Sequence, residues 1–263
     1  MSLARIALTP PHWHAPLDRV GRAAAITAAA AVLSVAAPPI TMAAGPAAAA
    51  APVVARLSDG RTTARWAYPS SAAVARVLPA PHARPVGRLR FLTSDNQAEL
   101  YMALASAQLP SGQTWIEVAL PGRPNGQHGW VPSSALGTLH VVRGYLLIDR
   151  ERLRATLFRN GRAIFRAPIG VGKASTVTPA GQFYVLEKLT TLGDPFYGPY
   201  AIGTSAYAPT LSEWPGGGVV GIHGTNEPQL IPGRPSHGCI RMRNGDITRL
   251  WHAIGLGTPI EIV

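Results

Sequence analysis

Short runs in which apolar and polar side chains alternate recur along the chain, and a period of two indicates β-strands. In "QTWIEVAL", Ile116 and Val118 share one face of an extended chain. In "RAIFRAP", Phe165 and Ala167 share a face in the same way. Pro, Gly and Asn lie between such runs, as is typical of turns. The pattern therefore predicts a mainly β protein.

Turn and cap residues locate further elements in the second half of the chain. Asn160-Gly161 lies between two predicted strands and suits a type I′ hairpin turn, which needs positive φ at both central residues. The segments "TPAGQFYVLEKL", "GGGVVGIH", "GCIRM" and "TPIEIV" predict four more strands. "DITRLWHAIGLG" predicts a short helix from a capping Asp246 to Gly255 or Gly257. The composition of "AELYMALASAQL" also fits a helix.

The chain of 263 residues is long enough for one large domain or two smaller ones. We predict three parts. Residues 1–50 form a signal peptide or membrane anchor with a linker, and residues 51–137 form a small β-barrel-like domain. Residues 138–263 form a larger all-β domain, which is β-sandwich-like with one short helix.

The first part has the pattern of an export signal. Arg5, Arg19 and Arg22 precede "AAAITAAAAVLSVAA", residues 23–37, which carries no charge. About 15 apolar residues suit the hydrophobic region of a signal peptide and are short for a spanning helix. Small residues follow, as at a cleavage site. The pattern predicts export to the cell envelope; the alternatives are an uncleaved anchor, a disordered Ala/Pro linker and a buried Ala-rich helix.

The net charge is +11, and all but two of the 24 basic residues are arginine. A basic surface favours polyanions. No run of five or six basic residues occurs, which argues against nucleic acid as a partner. An anionic cell envelope suits the charge better.

The run "TWIEVALPGRPNGQHGWVPSSAL" resembles the C-terminal part of bacterial Src-homology-3-like domains. In such domains aromatic residues often line a ligand groove, so a non-catalytic wall-binding protein is one hypothesis. Core packing of Trp115 and Trp130 is the alternative interpretation of the same residues.

The only cysteine, Cys239, lies in "GVVGIHGTNEPQLIPGRPSHGCIRM" with His223 and His237. A thiol attacks as the thiolate, so it needs a neighbouring base, and donors must face the developing oxyanion. His223 ends one predicted strand and Cys239 begins another, so a Pro- and Gly-rich loop can bring both to one sheet edge. The carbonyl of Gly224 is a candidate to orient His223. Spacing alone does not choose between the two histidines.

Other interpretations of this stretch remain. Cys239 could be a buried thiol without a chemical role. His223, His237 and Cys239 could be three zinc ligands with water as the fourth, as in a metallohydrolase. An ordinary cysteine endopeptidase is a further alternative.

"HGT" (223–225) and "SHGCIRM" (236–242) resemble the signature of the L,D-transpeptidase (YkuD-like) catalytic domain. The papain-like endopeptidases have Cys before His, the reverse of the order here. "TPAGQFYV" and "GPYAIGTSAY" extend the resemblance over most of the third part. The resemblance implies the following roles: nucleophile Cys239, base His223, orienting carbonyl Gly224, oxyanion site His237 and Gly238, and structural or substrate-contacting positions Ser236, Arg241 and Tyr207.

The resemblance also implies a reaction in which Cys239 attacks a tetrapeptide stem of peptidoglycan, D-alanine leaves, and an acceptor amine resolves the thioester into a 3–3 cross-link. An L,D-carboxypeptidase or hydrolase with the same residues is the alternative. The implied partners are peptidoglycan stem peptides, with β-lactams, the carbapenems above all, as covalent inhibitors. No cofactor and no metal are implied.

Overall fold

The computed structural model describes residues 51–191, 194–211 and 215–263. The predicted export segment lies outside these residues. Within them, no helix is long and apolar enough to cross a membrane. The strands of the described residues form two sheets, of eight and ten strands, which confirms the predicted mainly β fold with one short α-helix among the described residues.

The first sheet runs in the spatial order β4-β3-β7-β6-β5-β2-β8, with β1 also pairing with β5. Its core contains Tyr101, Ile116, Val118 and Val131. The strands are β1 (Val53–Arg56), β2 (Ala64–Ala67), β3 (Val74–Arg76), β4 (Pro85–Arg88), β5 (Tyr101–Gln108), β6 (Thr114–Ala119), β7 (His128–Pro132) and β8 (His140–Val142).

The helical interpretation of "AELYMALASAQL" is wrong, because most of this segment is strand β5. β5 pairs with β6 along one edge and with β1 and β2 along the other. Its first three residues are all buried. Pairing on both edges satisfies its backbone groups, so tertiary context overrides the helix propensity of its alanines, methionine and leucine.

Trp115 and Trp130 are both buried and pack with Ala107. Their positions agree with core packing. The resemblance of this part to Src-homology-3-like domains stays a prediction, as does the boundary at residues 137–138. By strand pairing, β8 belongs to the first sheet, because it pairs with β2.

The second sheet runs in the order β11-β10-β9-β18-β13-β14-β15-β17-β12-β16. Its strands are β9 (Gly144–Asp149), β10 (Arg154–Arg159), β11 (Arg162–Pro168), β12 (Gly170–Gly172), β13 (Gly181–Thr190), β14 (Tyr200–Tyr207), β15 (Val219–His223), β16 (Gly233–Ser236), β17 (Ile240–Arg241) and β18 (Pro259–Ile262). The hairpin between β10 and β11 is confirmed: Asn160 and Gly161 have φ of 51° and 74°.

The helix α1 spans Asn244–Ala253 and packs Ile247 and Leu250 into the core of the second sheet. The prediction of Asp246 as its cap is wrong, because the cap position belongs to the extended Arg243 and Asp246 lies in the first turn. An acidic residue there still stabilises the helix through the positive end of its dipole.

The two sheets share an apolar cluster. Trp66, Leu100 and Met102 from the first sheet pack with Tyr184 and Leu186 from β13. The Tyr184 hydroxyl also donates toward the carbonyl of Leu100 at 3.4 Å. The packing therefore joins β13 of the second sheet to the region of β2 and β5 in the first sheet.

Candidate active site

Strands β15 and β17 are parallel neighbours, with Ile222 opposite Ile240 and His223 opposite Arg241. Cys239 immediately precedes β17, so it lies beside the last residues of β15. The fifteen residues between His223 and Cys239 therefore bring two strand ends together, as the sequence predicted.

Cys239 opens into a narrow cleft of about 20 Å³, which holds roughly one water molecule. Phe196 and Tyr197 form one wall, and Ala208, Leu211 and Gly218 contribute another. The predicted site residues that line this narrow cleft are His223, Ser236, His237, Gly238, Cys239 and Arg241.

The His223 ring is held in one tautomer. Its Nδ1 lies 2.7 Å from the carbonyl oxygen of Gly224. A carbonyl oxygen only accepts, so Nδ1 carries the proton and donates it. The lone pair is then on Nε2, which is the form a proton acceptor requires. His223 is 2% exposed, so water cannot readily exchange this partner.

Gly224 has no room for a side chain. A Cβ there would lie 2.4 Å from Oδ1 of Asn244 and 2.9 Å from Cα of Gly198. Asn244 Oδ1 accepts from the N–H of Thr225 at 2.9 Å, which fixes the turn after β15. The His-Gly pair therefore places the orienting carbonyl by close backbone packing.

Burial lowers the pKa of His223 to about 4, and the charge of Arg241 adds to the effect. The hydrogen bond to Gly224 and the charge of Asp194 act in the opposite direction. The rings of Tyr197 and Phe196 lie against the imidazole, with centroids 4.9 Å and 6.1 Å away. At neutral pH the imidazole is neutral and able to accept a proton.

Burial also raises the pKa of the Cys239 thiol, against a hydrogen bond from the Gly221 backbone and the charge of Arg241. Burial therefore disfavours the thiolate of Cys239 and the imidazolium of His223 alike. A buried thiol of this kind needs a neighbouring base to become a nucleophile.

Ser236 braces the turn around the nucleophile. Its Oγ donates to the carbonyl of Cys239 at 2.6 Å and accepts from the N–H of Gly238 at 3.1 Å. Gly238 has φ of +126°, a conformation that L side chains rarely adopt. Thr178 Oγ1 donates to the Gly238 carbonyl at 2.8 Å. The side chains of Ser236 and Thr178 therefore both hold the backbone at Gly238.

Arg241 is 5% exposed and carries a charge into the narrow cleft. Its Nη1 contacts Oε2 of Glu227 at 3.0 Å, and its Cζ lies 4.8 Å above the ring of Phe196. Its Nε is buried with no hydrogen-bond partner among the described residues. A buried donor without a partner is costly and suits an anionic ligand group.

The other two predicted residues lie differently. His237 is exposed at the rim of the narrow cleft. Tyr207, at the end of β14, faces the first sheet: its ring lies 5.2 Å below Cζ of Arg123, and its hydroxyl hydrogen-bonds to the guanidinium of Arg90. Its predicted contact with substrate stays a prediction.

A second, larger cavity of about 310 Å³ also reaches Cys239 and His223. Asp95, Glu187 and Asp194 lie on its walls, and we call it the acidic cavity. Burial raises the pKa of Glu187, with a further contribution from Asp95, while the 2.7 Å hydrogen bond from Thr93 Oγ1 opposes the shift.

Among residues 51–191, 194–211 and 215–263, no group of three or more His, Cys, Asp or Glu side chains is arranged to hold a metal ion. The sequence interpretation missed Phe196, Glu187 and Asn244, of which Phe196 and Glu187 approach the site from distant segments. Only Asn244 carries a local signal, since it follows the "SHGCIRM" segment closely.

Comparison with known proteins agrees with this geometry. The family model for the YkuD L,D-transpeptidase catalytic domain matches residues 143–262. A putative L,D-transpeptidase YkuD of Bacillus subtilis is 39% identical over 156 residues, covering 59% of this chain and 78% of that protein. The corresponding protein of Bacillus licheniformis is 37% identical over 106 residues, covering 40% of this chain and 57% of that protein.

Among solved structures, the catalytic domain of an E. faecium L,D-transpeptidase acylated by ertapenem is 27% identical, over 45% of this chain and 95% of that one. Its TM-score of 0.34 is too low to support an argument about the overall arrangement. The sequence comparisons are sufficient for the family: the chain belongs to the L,D-transpeptidases and contains their catalytic domain.

Proposed function

We propose that this chain is a cysteine-dependent L,D-transpeptidase that forms 3–3 cross-links in peptidoglycan. One observation carries the proposal: within the family's catalytic domain, Cys239 and a tautomerically fixed His223 line the same narrow cleft. This combination supplies a nucleophile and a base of defined proton state. We further propose export to the cell envelope, where the substrate lies.

In the first half reaction, Nε2 of His223 accepts the thiol proton as Sγ of Cys239 attacks the carbonyl of the diamino acid in the donor tetrapeptide. The C–N bond to the terminal D-alanine then breaks. The leaving amine takes the proton from His223, and a thioester remains on Cys239. Two lower barriers replace one high barrier.

The negative oxygen of the tetrahedral intermediate needs a donor near Cys239. The N–H of Gly238 is already donated to Ser236 Oγ. We therefore assign the backbone donor to the N–H of Cys239, with His237 at the rim as the second group. The brace from Ser236 to the Cys239 carbonyl keeps this peptide group in place.

In this proposal the donor lies across the mouth of the narrow cleft, and only one of its carboxylates points inward toward Arg241. Arg241 places a buried guanidinium with an unpartnered Nε there. A carboxylate of the stem would satisfy that donor, and a charge-assisted hydrogen bond is stronger than a neutral one. The carboxylates of the diamino acid and of the terminal D-alanine are the chemical groups that suit it.

The acceptor amine approaches through the acidic cavity. Asp95, Glu187 and Asp194 favour a cationic group in water and concentrate it near the thioester. The ammonium first releases one proton to water, and the neutral amine nitrogen then attacks the thioester carbonyl. A second proton passes from this nitrogen to His223, and the Cys239 thiolate leaves and takes that proton back. Water attacking in its place gives a free acid, which is the L,D-carboxypeptidase alternative.

Intact-mass spectrometry tests the proposal directly. Purified protein is incubated with ertapenem and, separately, with a disaccharide-tetrapeptide. We expect wild type to gain one ertapenem mass and to convert the tetrapeptide into a cross-linked dimer with loss of D-alanine. Cys239→Ala should do neither, and His237→Ala should still be acylated but more slowly, because it loses one donor to the oxyanion.

Each outcome bears on one part of the proposal. Tripeptide without dimer would replace the transpeptidase by the carboxypeptidase. Dimer formation by Cys239→Ala, or the absence of any adduct on wild type, would refute the nucleophile itself.

A further inference from the structure

A loop of the first sheet reaches the candidate site of the second. Between β6 and β7, Arg123 extends its guanidinium to three backbone carbonyls of the other sheet. Nε and Nη2 donate to Ala208 at 3.0 Å and 2.8 Å, Nη2 also donates to Leu211 at 2.8 Å, and Nη1 donates to Gly217 at 2.7 Å.

The residues held in this way form a wall of the narrow cleft. Ala208 and Leu211 line the cleft directly, and Gly217 precedes Gly218, which also lines it. One side chain thus ties together the stretch after β14 and the stretch before β15. The planar guanidinium presents several donors in a fixed geometry, which the single ammonium of a lysine does not.

Neighbouring contacts orient the same loop. Asn125 Nδ2 donates to the carbonyl of Tyr207 at 2.8 Å, and Asn125 Oδ1 accepts from the N–H of Tyr207 at 2.9 Å. The ring of Tyr207 lies 5.2 Å from Cζ of Arg123, a cation–π distance. The loop therefore contacts the end of β14 through both Asn125 and Arg123.

The backbone at Gly218 passes close to the guanidinium of Arg123. At Gly218, φ is +81°, and a Cβ would lie 1.8 Å from the carbonyl oxygen of Leu211 and 2.4 Å from Nη2 of Arg123. Only glycine allows this close approach.

We propose that Arg123 is a positioning residue: it holds the wall formed by Ala208, Leu211 and Gly218 and so keeps the cleft at Cys239 narrow. Its effect is on the size of the group that reaches the sulfur from the side of the narrow cleft. The first sheet thereby acts on the site without touching the reacting atoms. This positioning role of Arg123 does not depend on the proposed transpeptidase activity.

Thiol labelling tests it, because Cys239 is the only cysteine. Second-order rate constants are measured for the small reagent iodoacetamide and the bulkier N-phenylmaleimide. For Arg123→Ala we expect the maleimide rate to rise about tenfold, the change in an equilibrium constant that accompanies loss of one net hydrogen bond. The iodoacetamide rate should stay within about twofold and keep its pH profile. A general loosening of the structure would instead raise the rates of both reagents, because it does not discriminate by reagent size.

Arg76→Ala is the matched control, because Arg76 donates to the carbonyl of Ala83 inside the first sheet region. It should leave both rates unchanged. Arg123→Lys should give an intermediate ratio. If Arg123→Ala does not fold, as judged by its thermal transition, Asn125→Ala decides the question with a smaller rise in the same ratio.

An unchanged ratio of the two rates in a folded Arg123→Ala, or an equal rise of both, overturns the proposal. If the transpeptidase activity holds as well, Arg123→Ala should divert part of the thioester to hydrolysis, because a wider cleft admits water. If the labelling rates change as expected but no acyl transfer is observed, the proposed function is refuted and the positioning role of Arg123 stands.

Discussion

The two openings onto Cys239 differ in size and in charge. The narrow cleft holds about 20 Å³ and contains the buried guanidinium of Arg241, whereas the acidic cavity holds about 310 Å³ and contains three carboxyl groups. His223 and Cys239 belong to both. The site is therefore polarised: an anionic group fits one side of Cys239 and a cationic group the other.

The polarity suits a reaction with two substrates in sequence. A donor that carries carboxylates is attracted to the arginine side, and an amine acceptor to the carboxyl side. Charge of opposite sign on the two sides also disfavours each substrate in the wrong place. The following variants test whether the two sides act separately.

Removing the shared base should have the largest effect. His223→Ala should lower the rates of both half reactions by roughly 10²- to 10⁴-fold, the usual contribution of a general base. Acylation by ertapenem measures the first half, and aminolysis of a preformed tetrapeptide thioester adduct measures the second. His237→Ala, at the rim, is the comparison. A loss in only one half would show that His223 does not serve both sides.

Neutralising one charged residue on each side of Cys239 should show whether the two sides act separately. Arg241→Gln should raise the KM for the donor by about 10- to 100-fold, because one hydrogen bond to a charged group is lost. Glu187→Gln should leave the donor KM alone and raise the acceptor KM by a smaller factor, since long-range attraction is weaker than a direct contact. Initial rates at varied donor and acceptor concentrations measure both constants.

The thermal transition of each variant serves as the folding control, because Arg241 is paired with Glu227. If either variant shifted both constants equally, the assignment of one substrate to each side would fail.

Local geometry explains which parts of this picture were predictable. Asn160-Gly161, His223-Gly224 and the Ser236 to Met242 segment each act through neighbours in sequence, so their residue types indicate the structure directly. The same locality misled the interpretation of β5, whose helix-forming residues are held extended by β6 and β2. Asp246 was misassigned for a similar reason: a good capping residue lay just inside the helix.

The polarity of the site was not predictable, because it joins distant segments. Asp95 lies in the first sheet region and Glu187 on β13, and nothing in either segment indicates a shared cavity. Arg123 meets its carbonyl partners across more than eighty positions of sequence. Such contacts depend on how the two sheets pack through Trp66 and Tyr184, which a single sequence does not reveal.

A smaller effect is expected from the brace beneath the nucleophile. Ser236→Ala removes the hydrogen bonds to Gly238 N–H and to the Cys239 carbonyl, and should lower kcat about tenfold with little change in either KM. Both half reactions should slow together, because the brace holds the turn that both sides share. Ser236→Thr is the matched control and should recover part of the rate. A KM effect confined to the donor would make Ser236 a substrate contact.

The smallest effect is expected from a change of pH, which should affect acylation and aminolysis differently. With the pKa of His223 lowered to about 4, the imidazole is about 90% neutral at pH 5, where an ordinary histidine would be about 3% neutral. Acylation by ertapenem should therefore change less than about twofold between pH 7 and pH 5. A fall centred near pH 6.5 would contradict the buried, neutral base.

The acceptor half should behave differently over the same range. The pKa of Glu187 is raised by burial and by Asp95, with Glu99 acting in the same direction, so its negative charge is lost at a higher pH than for an exposed glutamate. Aminolysis by wild type should then fall faster than aminolysis by Glu187→Gln as the pH decreases from 7. Protonation of the amine is common to both proteins and cancels in the ratio of their rates. A ratio that stays constant with pH would mean that the charge of Glu187 does not help the acceptor, and the acidic cavity would lose its role in the reaction.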